Sequence, residues 1–156
     1  MEYGSAVASP VDAWKTVRRA EELGFTHAWF YDSQLLAPDI FISMALAAEH
    51  TSKIKLGLGI LVPANRIAPS AANALATLNT LAPGRIICGL GTGFTARYTM
   101  GLQPLPLSDL REYLRILRLA DPSASSLTPT AAGHGRSSWN RMRPNVCSWS
   151  SRPTRW

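Results

Sequence analysis

Four times within residues 1–120 a short apolar run gives way to a stretch whose apolar residues recur three and four apart, with Gly or Pro at the joints. This rhythm constrains the fold more than any other feature, because strands alternating with amphipathic helices specify a parallel sheet with crossover helices packed on it. The first unit is a strand at residues 2–8 and a helix from about Pro10, with Ser9 as its candidate cap and Trp14, Val17 and Ala20 on one face. The second is a strand at residues 26–31 and a helix opening at Pro38-Asp39, with Phe41, Met44, Ala45 and Ala48 inward. The third strand, residues 53–62, leads to a helix at residues 69–82 that carries Leu75 and Leu78. The fourth, residues 85–90, runs into Gly91-Thr92-Gly93. After a Pro-containing loop, a helix starts near Ser108 with Leu110, Leu114 and Leu117 inward.

The rhythm stops at Asp121. Residues 121–156 hold five arginines, eight serines, four prolines and three tryptophans (Trp139, Trp149, Trp156) against a single acid. Such a composition cannot build a core and reads as a basic tail of low order. Its abrupt onset after a well-formed helix suits translation out of frame. Most of the formal charge of +6 belongs to this segment, since residues 1–120 carry 11 Lys/Arg against 9 Asp/Glu. Nucleic acid is therefore not an expected partner of the folded part. No apolar run approaches the roughly 18 residues of a membrane span, and the first residues lack the pattern of a secretory leader. Cys88 and Cys147 lie in segments of different character and fit reduced thiols. A cytoplasmic protein is the expectation.

Parallel-sheet folds gather function at the carboxyl ends of their strands, so those ends carry the functional reading. In "HAWFYDSQ", Asp32 directly follows an aromatic strand, where a carboxylate can bond a ligand amide, orient a polar neighbour or simply cap a turn. In "LGLGILVPANR", Gly59 can let a flat ring approach the backbone or can serve close packing, and Asn65 can donate or accept at the rim. The stretch "GLGTGFTA" places Gly91, Gly93 and Ala96 in the spacing of a dinucleotide fingerprint. That site requires a helix beginning within the motif and an acid about 20 residues on. Residues 98–104 read as loop, so a ring-facing glycine loop is favoured, with Thr92 and Thr95 supplying hydroxyls. His27, His50 and His134 have no ligand-spaced partners, so no metal site is expected. Glu21-Glu22 reads as a solvated helix face, and no nucleophile elbow is present.

Taken in order, "AEELGFTHAWFYDSQ", "IKLGLGILVPANRIAP", "ALATLNTLAPGRIICGLGTGFTARYTMGL" and "LREYLRILR" resemble the luciferase-like monooxygenase family, over about three quarters of the chain. The resemblance is to its flavin-dependent members and to its methylenetetrahydromethanopterin-reductase-like members, which use a deazaflavin. It implies a TIM barrel binding FMN or a deazaflavin coenzyme at the carboxyl mouth, with Asp32, Gly59, Ile60, Asn65, Gly91, Thr92 and Gly93 facing the ring. It also implies a non-prolyl cis peptide at Gly59-Ile60.

Two departures qualify it. Many relatives have Asp-His where this chain has Asp32-Ser33, and the likeness ends near Leu119. A TIM barrel has eight βα units and about 250 residues. The expectation is thus a partial TIM barrel over 1–120, an oxidoreductase or monooxygenase by descent that is inactive as this chain. One alternative is a non-enzymatic half-barrel that self-associates through its open sheet edges or is degraded. Another is a small doubly wound nucleotide-binding module.

Overall fold

The computed structural model describes residues 1–63 and 65–120. The low-order tail and its out-of-frame reading concern residues 121–156, outside the described residues. Among the described residues four strands, β1 (Gly4–Val7), β2 (His27–Phe30), β3 (Lys55–Leu61) and β4 (Ile86–Leu90), form one sheet in the order β1-β2-β3-β4. All three pairings are parallel, with Gly4 opposite His27, His27 opposite Lys55, and Leu56 opposite Ile86. Helices α1 (Ala13–Glu22), α2 (Ile40–His50), α3 (Ala68–Leu81), α4 (Phe94–Tyr98) and α5 (Leu107–Ala120) complete the chain. The strand order never reverses, so the sheet has no topological switch point of the kind that defines a doubly wound nucleotide fold. Sequential parallel order is instead the order of a barrel under construction.

The alternation of each strand explains where the core lies. Ala28 and Phe30, Leu56 and Leu58, and Val7 point to the helices and are buried there with Val17, Ile40, Met44 and Leu78. The opposite face carries His27 and Trp29 of β2 and glycines of β3 and β4, and among the described residues no helix covers it. The Trp29 indole lies flat across the sheet, so close that a Cβ on Gly57 would stand 2.3 Å from its Cε3 atom and one on Gly4 would stand 2.9 Å from its Nε1. His27 stacks beside it with centroids 5.9 Å apart. Among the described residues no helix is long and apolar enough to cross a membrane.

Several local expectations need correction. Ser9 does not cap α1: the helix starts at Ala13 behind Asp12, and the buried Ser9 hydroxyl donates to the Tyr31 carbonyl at 2.9 Å. Asp39 does cap α2, accepting from the Phe41 and Ile42 amides at 2.8 and 3.2 Å. Residues 99–104 are turn and loop as expected, but a helix of five residues, α4, does begin within the glycine motif, directly after Gly93. On α5 the buried side chains are Tyr113 and Leu117, while Leu110 and Leu114 are half-buried. Of the Glu21-Glu22 pair, Glu22 is exposed as expected, whereas the partly covered Glu21 carboxylate accepts the amides of Ser52, Lys53 and Ile54 at 3.0, 2.5 and 2.8 Å, tying α1 to the entrance of β3.

Candidate functional site

A cavity of about 290 Å³ opens at the carboxyl ends of β2, β3 and β4. Tyr31, Asp32 and Ser33 line it from β2, Gly59, Ile60 and Val62 from β3, and Gly93, Phe94, Thr95 and Ala96 from the turn after β4 and the start of α4. The Gly59-Ile60 peptide is cis, at the position the family resemblance implied. The side chains of Tyr31, Ile60 and Phe94 are exposed around the opening.

Asp32 is the charged residue of the lining, and its side chain is only 2% exposed. Both oxygens are engaged within the protein. Oδ1 accepts from Arg66 Nη1 at 3.0 Å and from Gln34 Nε2 at 2.7 Å, and Oδ2 accepts from the Val62 amide at 3.1 Å. A buried carboxylate survives only when its lone pairs are filled in this way. Arg66 reaches further: Nη2 donates to Asp39 Oδ2 at 2.5 Å, the guanidinium lies 4.8 Å from the Phe41 ring centre, and the Arg66 carbonyl accepts the Tyr113 hydroxyl at 3.0 Å. Asn65 donates to Gln34 Oε1.

One polar network thus locks the loops after β2 and β3 to α2 and α5. Burial by itself would raise the Asp39 carboxyl, but Arg66 and the amides of Ile42 and Phe41 hold it below its ordinary value. Burial likewise opposes the charge on Arg66, yet hydrogen bonds and attraction from Asp39 and Asp32 hold its proton more tightly than usual.

The glycines act by yielding space to side chains. A Cβ on Gly91 would stand 2.2 Å from Ile60 Cδ1, so the bare backbone of β4's exit is where Ile60 rests. Gly93 has φ +77° and a Cβ there would stand 2.3 Å from Val62 Cγ1. Gly59 contributes its backbone to the cavity, while the space of its missing side chain is filled by Trp29, 3.3 Å away.

Of the seven residues singled out from sequence, Asp32, Gly59, Ile60 and Gly93 come together in the lining. Asn65, Gly91 and Thr92 do not. Asn65 belongs to the supporting network, Gly91 seats Ile60, and the Thr92 carbonyl accepts the Leu105 amide at 2.9 Å. Tyr31, Val62, Phe94 and Ala96 were missed, as was Arg66, whose place in the string "VPANR" gave no sign of two carboxylate partners. Cys88 lies behind the site with its thiol pushed up by burial to about 11, which keeps it protonated and unreactive near neutral pH.

The chain matches the model of the luciferase-like monooxygenase family over residues 2–147. It is 34% identical over 101 residues to a 5,10-methylenetetrahydromethanopterin reductase of Methanolobus tindarius, covering 64% of this chain and 31% of that protein. An F420-dependent glucose-6-phosphate dehydrogenase of Kineococcus radiotolerans is 34% identical over 113 residues, covering 64% and 34%. Among solved structures, the coenzyme F420 dependent tetrahydromethanopterin reductase from Methanopyrus kandleri superposes with a TM-score of 0.68 at 28% identity, over 76% of this chain and 40% of that one. The chain spans about a third of the length of the curated relatives it matches. A family match over nearly the whole chain, on a sequentially ordered parallel sheet with its cavity at the strand ends, places the protein: it belongs to the luciferase-like monooxygenase family.

Proposed function

We propose that the cavity after β2, β3 and β4 receives the ring system of FMN or of a deazaflavin coenzyme, as the ring-binding part of an oxidoreductase or monooxygenase site. The observation that carries this is the character of the lining. Its walls are backbone at Gly59, Ile60 and Gly93, hydroxyls at Ser33 and Thr95, and the exposed faces of Tyr31 and Phe94. Its carboxylate is already held by Arg66. Such walls suit a flat, largely uncharged heterocycle, which gains from apolar contact and a few backbone and hydroxyl hydrogen bonds.

The same lining does not fit the coenzyme's phosphate. No Lys or Arg is among the described lining residues, and the helix that starts in it, α4, is only five residues long, so the lining offers a phosphate no side-chain charge. At about 290 Å³ the cavity also falls at the small end of ligand sites. When bound, the coenzyme supplies hydride or oxygen chemistry. The protein's own residues hold and orient the ring and keep one wall dry.

Titration with lumichrome, a flavin ring lacking ribityl and phosphate, and with FMN tests both halves of this reading. Weak, saturable binding of both, with similar affinity and with shifts confined to Tyr31, Ser33, Ile60 and Thr95 resonances, is the expected result. Absence of ring binding at these residues overturns the ring site. An FMN complex at or below about a micromolar, roughly 8 kcal/mol of binding, overturns the missing phosphate site.

A further inference from the structure

We infer that Gln34, which lies outside the cavity lining, is the positioning residue that sets how far apart the walls of the cavity stand. The inference rests on the ring-site reading for its functional meaning, and on contacts within the protein for its structural part. The walls come from separate stretches of chain, at the ends of β2 and β3 and after β4. Gln34 makes a polar contact toward each. Its Nε2 donates to Asp32 Oδ1 at 2.7 Å, and its Oε1 accepts from Asn65 in the turn after β3. Its carbonyl accepts the hydroxyl of Thr99, the residue directly after α4, at 3.2 Å.

Chemistry fixes the direction of the side-chain bonds. An ionised carboxylate only accepts, so Asp32 requires the amide nitrogen of Gln34. The amide oxygen is thereby turned to Asn65, which must present its own nitrogen. A glutamate of the same shape would face Asp32 with a second negative charge. The Thr99 hydroxyl has one proton and two acceptors, the Gln34 carbonyl at 3.2 Å and the Ala96 carbonyl of its own helix at 3.0 Å. Its hold on the β2 exit is therefore shared with α4, which makes it the loosest of the joints.

The backbone beside Gln34 carries a second mark of the same role. Leu35 has a φ of +66°, and among the described residues it is the one residue other than glycine in the left-handed region. The N–Cα bond that bears this angle flanks the very peptide whose carbonyl meets Thr99. A left-handed backbone is costly for an L side chain, and it persists only where surrounding contacts over-determine it. Here those contacts are the bonds of Gln34 and a tight turn, in which the Leu36 and Ala37 amides donate to the Ser33 carbonyl at 3.2 and 2.9 Å. Ser33 itself lines the cavity. Strain and joint thus sit in adjacent residues at the edge of the site, which points to a turn held for its geometry.

Two measurements on the full chain test the inference. The first needs no ligand, because the Val62 amide donates to Asp32 Oδ2 at 3.1 Å and its hydrogen exchange reports how firmly the β3 exit is held. Thr99→Val, a change at an exposed site, is expected to speed Val62 exchange by about two- to tenfold, the equilibrium weight of one net hydrogen bond. In a Gln34→Ala background it is expected to add nothing, since both changes act through one joint. The second measurement is lumichrome affinity. Gln34→Ala and Gln34→Glu are expected to weaken it by a similar factor, whereas Glu21→Gln, at the entrance of β3, is expected to leave it unchanged. Val62 exchange indifferent to Thr99→Val, or additive effects in the double variant, would overturn the positioning role. So would parental lumichrome affinity in the Gln34 variants, or an equal loss in Glu21→Gln, which marks general destabilisation. A parent that binds no lumichrome refutes the coenzyme reading, and Val62 exchange then decides the role of Gln34 alone.

Discussion

Arg66 and Asp32, 34 residues apart in sequence, meet with Nη1 and Oδ1 3.0 Å apart, and the guanidinium is shared with Asp39 on its other side. The pair joins the end of β2 to the turn after β3, the two segments that form most of the candidate cavity. Removing one partner of a buried pair leaves the other charge desolvated, at a cost of about 3–5 kcal/mol. Arg66→Met is therefore expected to lower unfolding free energy toward that range in urea titrations. Arg66→Lys, which cannot fork between two carboxylates, should lose about 1–2 kcal/mol. A Met variant within about 0.5 kcal/mol of the parent, the scatter of ordinary surface changes, would refute the role given to this pair.

Glu21 gives a pH-dependent prediction. Burial alone would raise its carboxyl, but the amides of Ile54, Lys53 and Ser52 and the nearby Arg85 hold it below its ordinary value of 4.5. A depressed carboxyl contributes stability that is present above the unfolded value and lost as pH falls through the folded one. Glu21→Gln should cost about 1–2 kcal/mol near neutral pH. The difference from the parent should shrink steadily below about pH 4.5. Denaturant midpoints at a series of pH values measure this, and a gap that persists undiminished in acid contradicts it.

The two glycines after β4 should respond differently to alanine. At Gly93 the left-handed backbone costs a side chain about 1–2 kcal/mol, and the collision with Val62 adds to that. At Gly91 the new methyl meets the far end of the Ile60 side chain, which is 38% exposed. Gly93→Ala should be the more destabilising in thermal melts. Any cost of Gly91→Ala should disappear in the Ile60→Ala background, and its persistence there would locate the strain elsewhere.

Tyr113 is pushed up to about 12, chiefly by burial. A tyrosine held neutral above its ordinary value of 10.0 adds stability that is complete below that pH and lost as pH rises through about 12. Ultraviolet titration should show one late-ionising tyrosine of the four in the chain, absent in Tyr113→Phe. That variant should also lose about 1 kcal/mol with the hydrogen bond to the Arg66 carbonyl. Four tyrosines ionising together would contradict the assignment.

Strands and long helices were legible in the sequence because their signals are local: the apolar periods and the Pro38-Asp39 opening of α2 lie within one element. Ser9 misled because its capping context was also local, whereas its hydroxyl is claimed by Tyr31, 22 residues on. Glu21 looked solvated because the three amides it accepts lie 31–33 residues further along the chain. The short α4 has no periodicity to detect, and a glycine with positive φ precedes it. Strand-end positions predicted the neighbourhood of the cavity well, but pattern alone could not separate Gly93, which borders it, from Gly91, which seats a side chain.

The unbroken β1-β2-β3-β4 order has a kinetic consequence. Among the described residues each strand pairs with the strand before it, and each of α1, α2 and α3 packs on the next long helix, so every ladder joins units that follow one another in the chain. Folding speed rises as contacts become more local, and chains fold from the amino end as they are synthesised. By the time residue 61 has left the ribosome, two of the three strand ladders have both partners available. Order accumulates in the direction of synthesis, and the hazard of mispairing is confined at each moment to the first strand and the one most recently added.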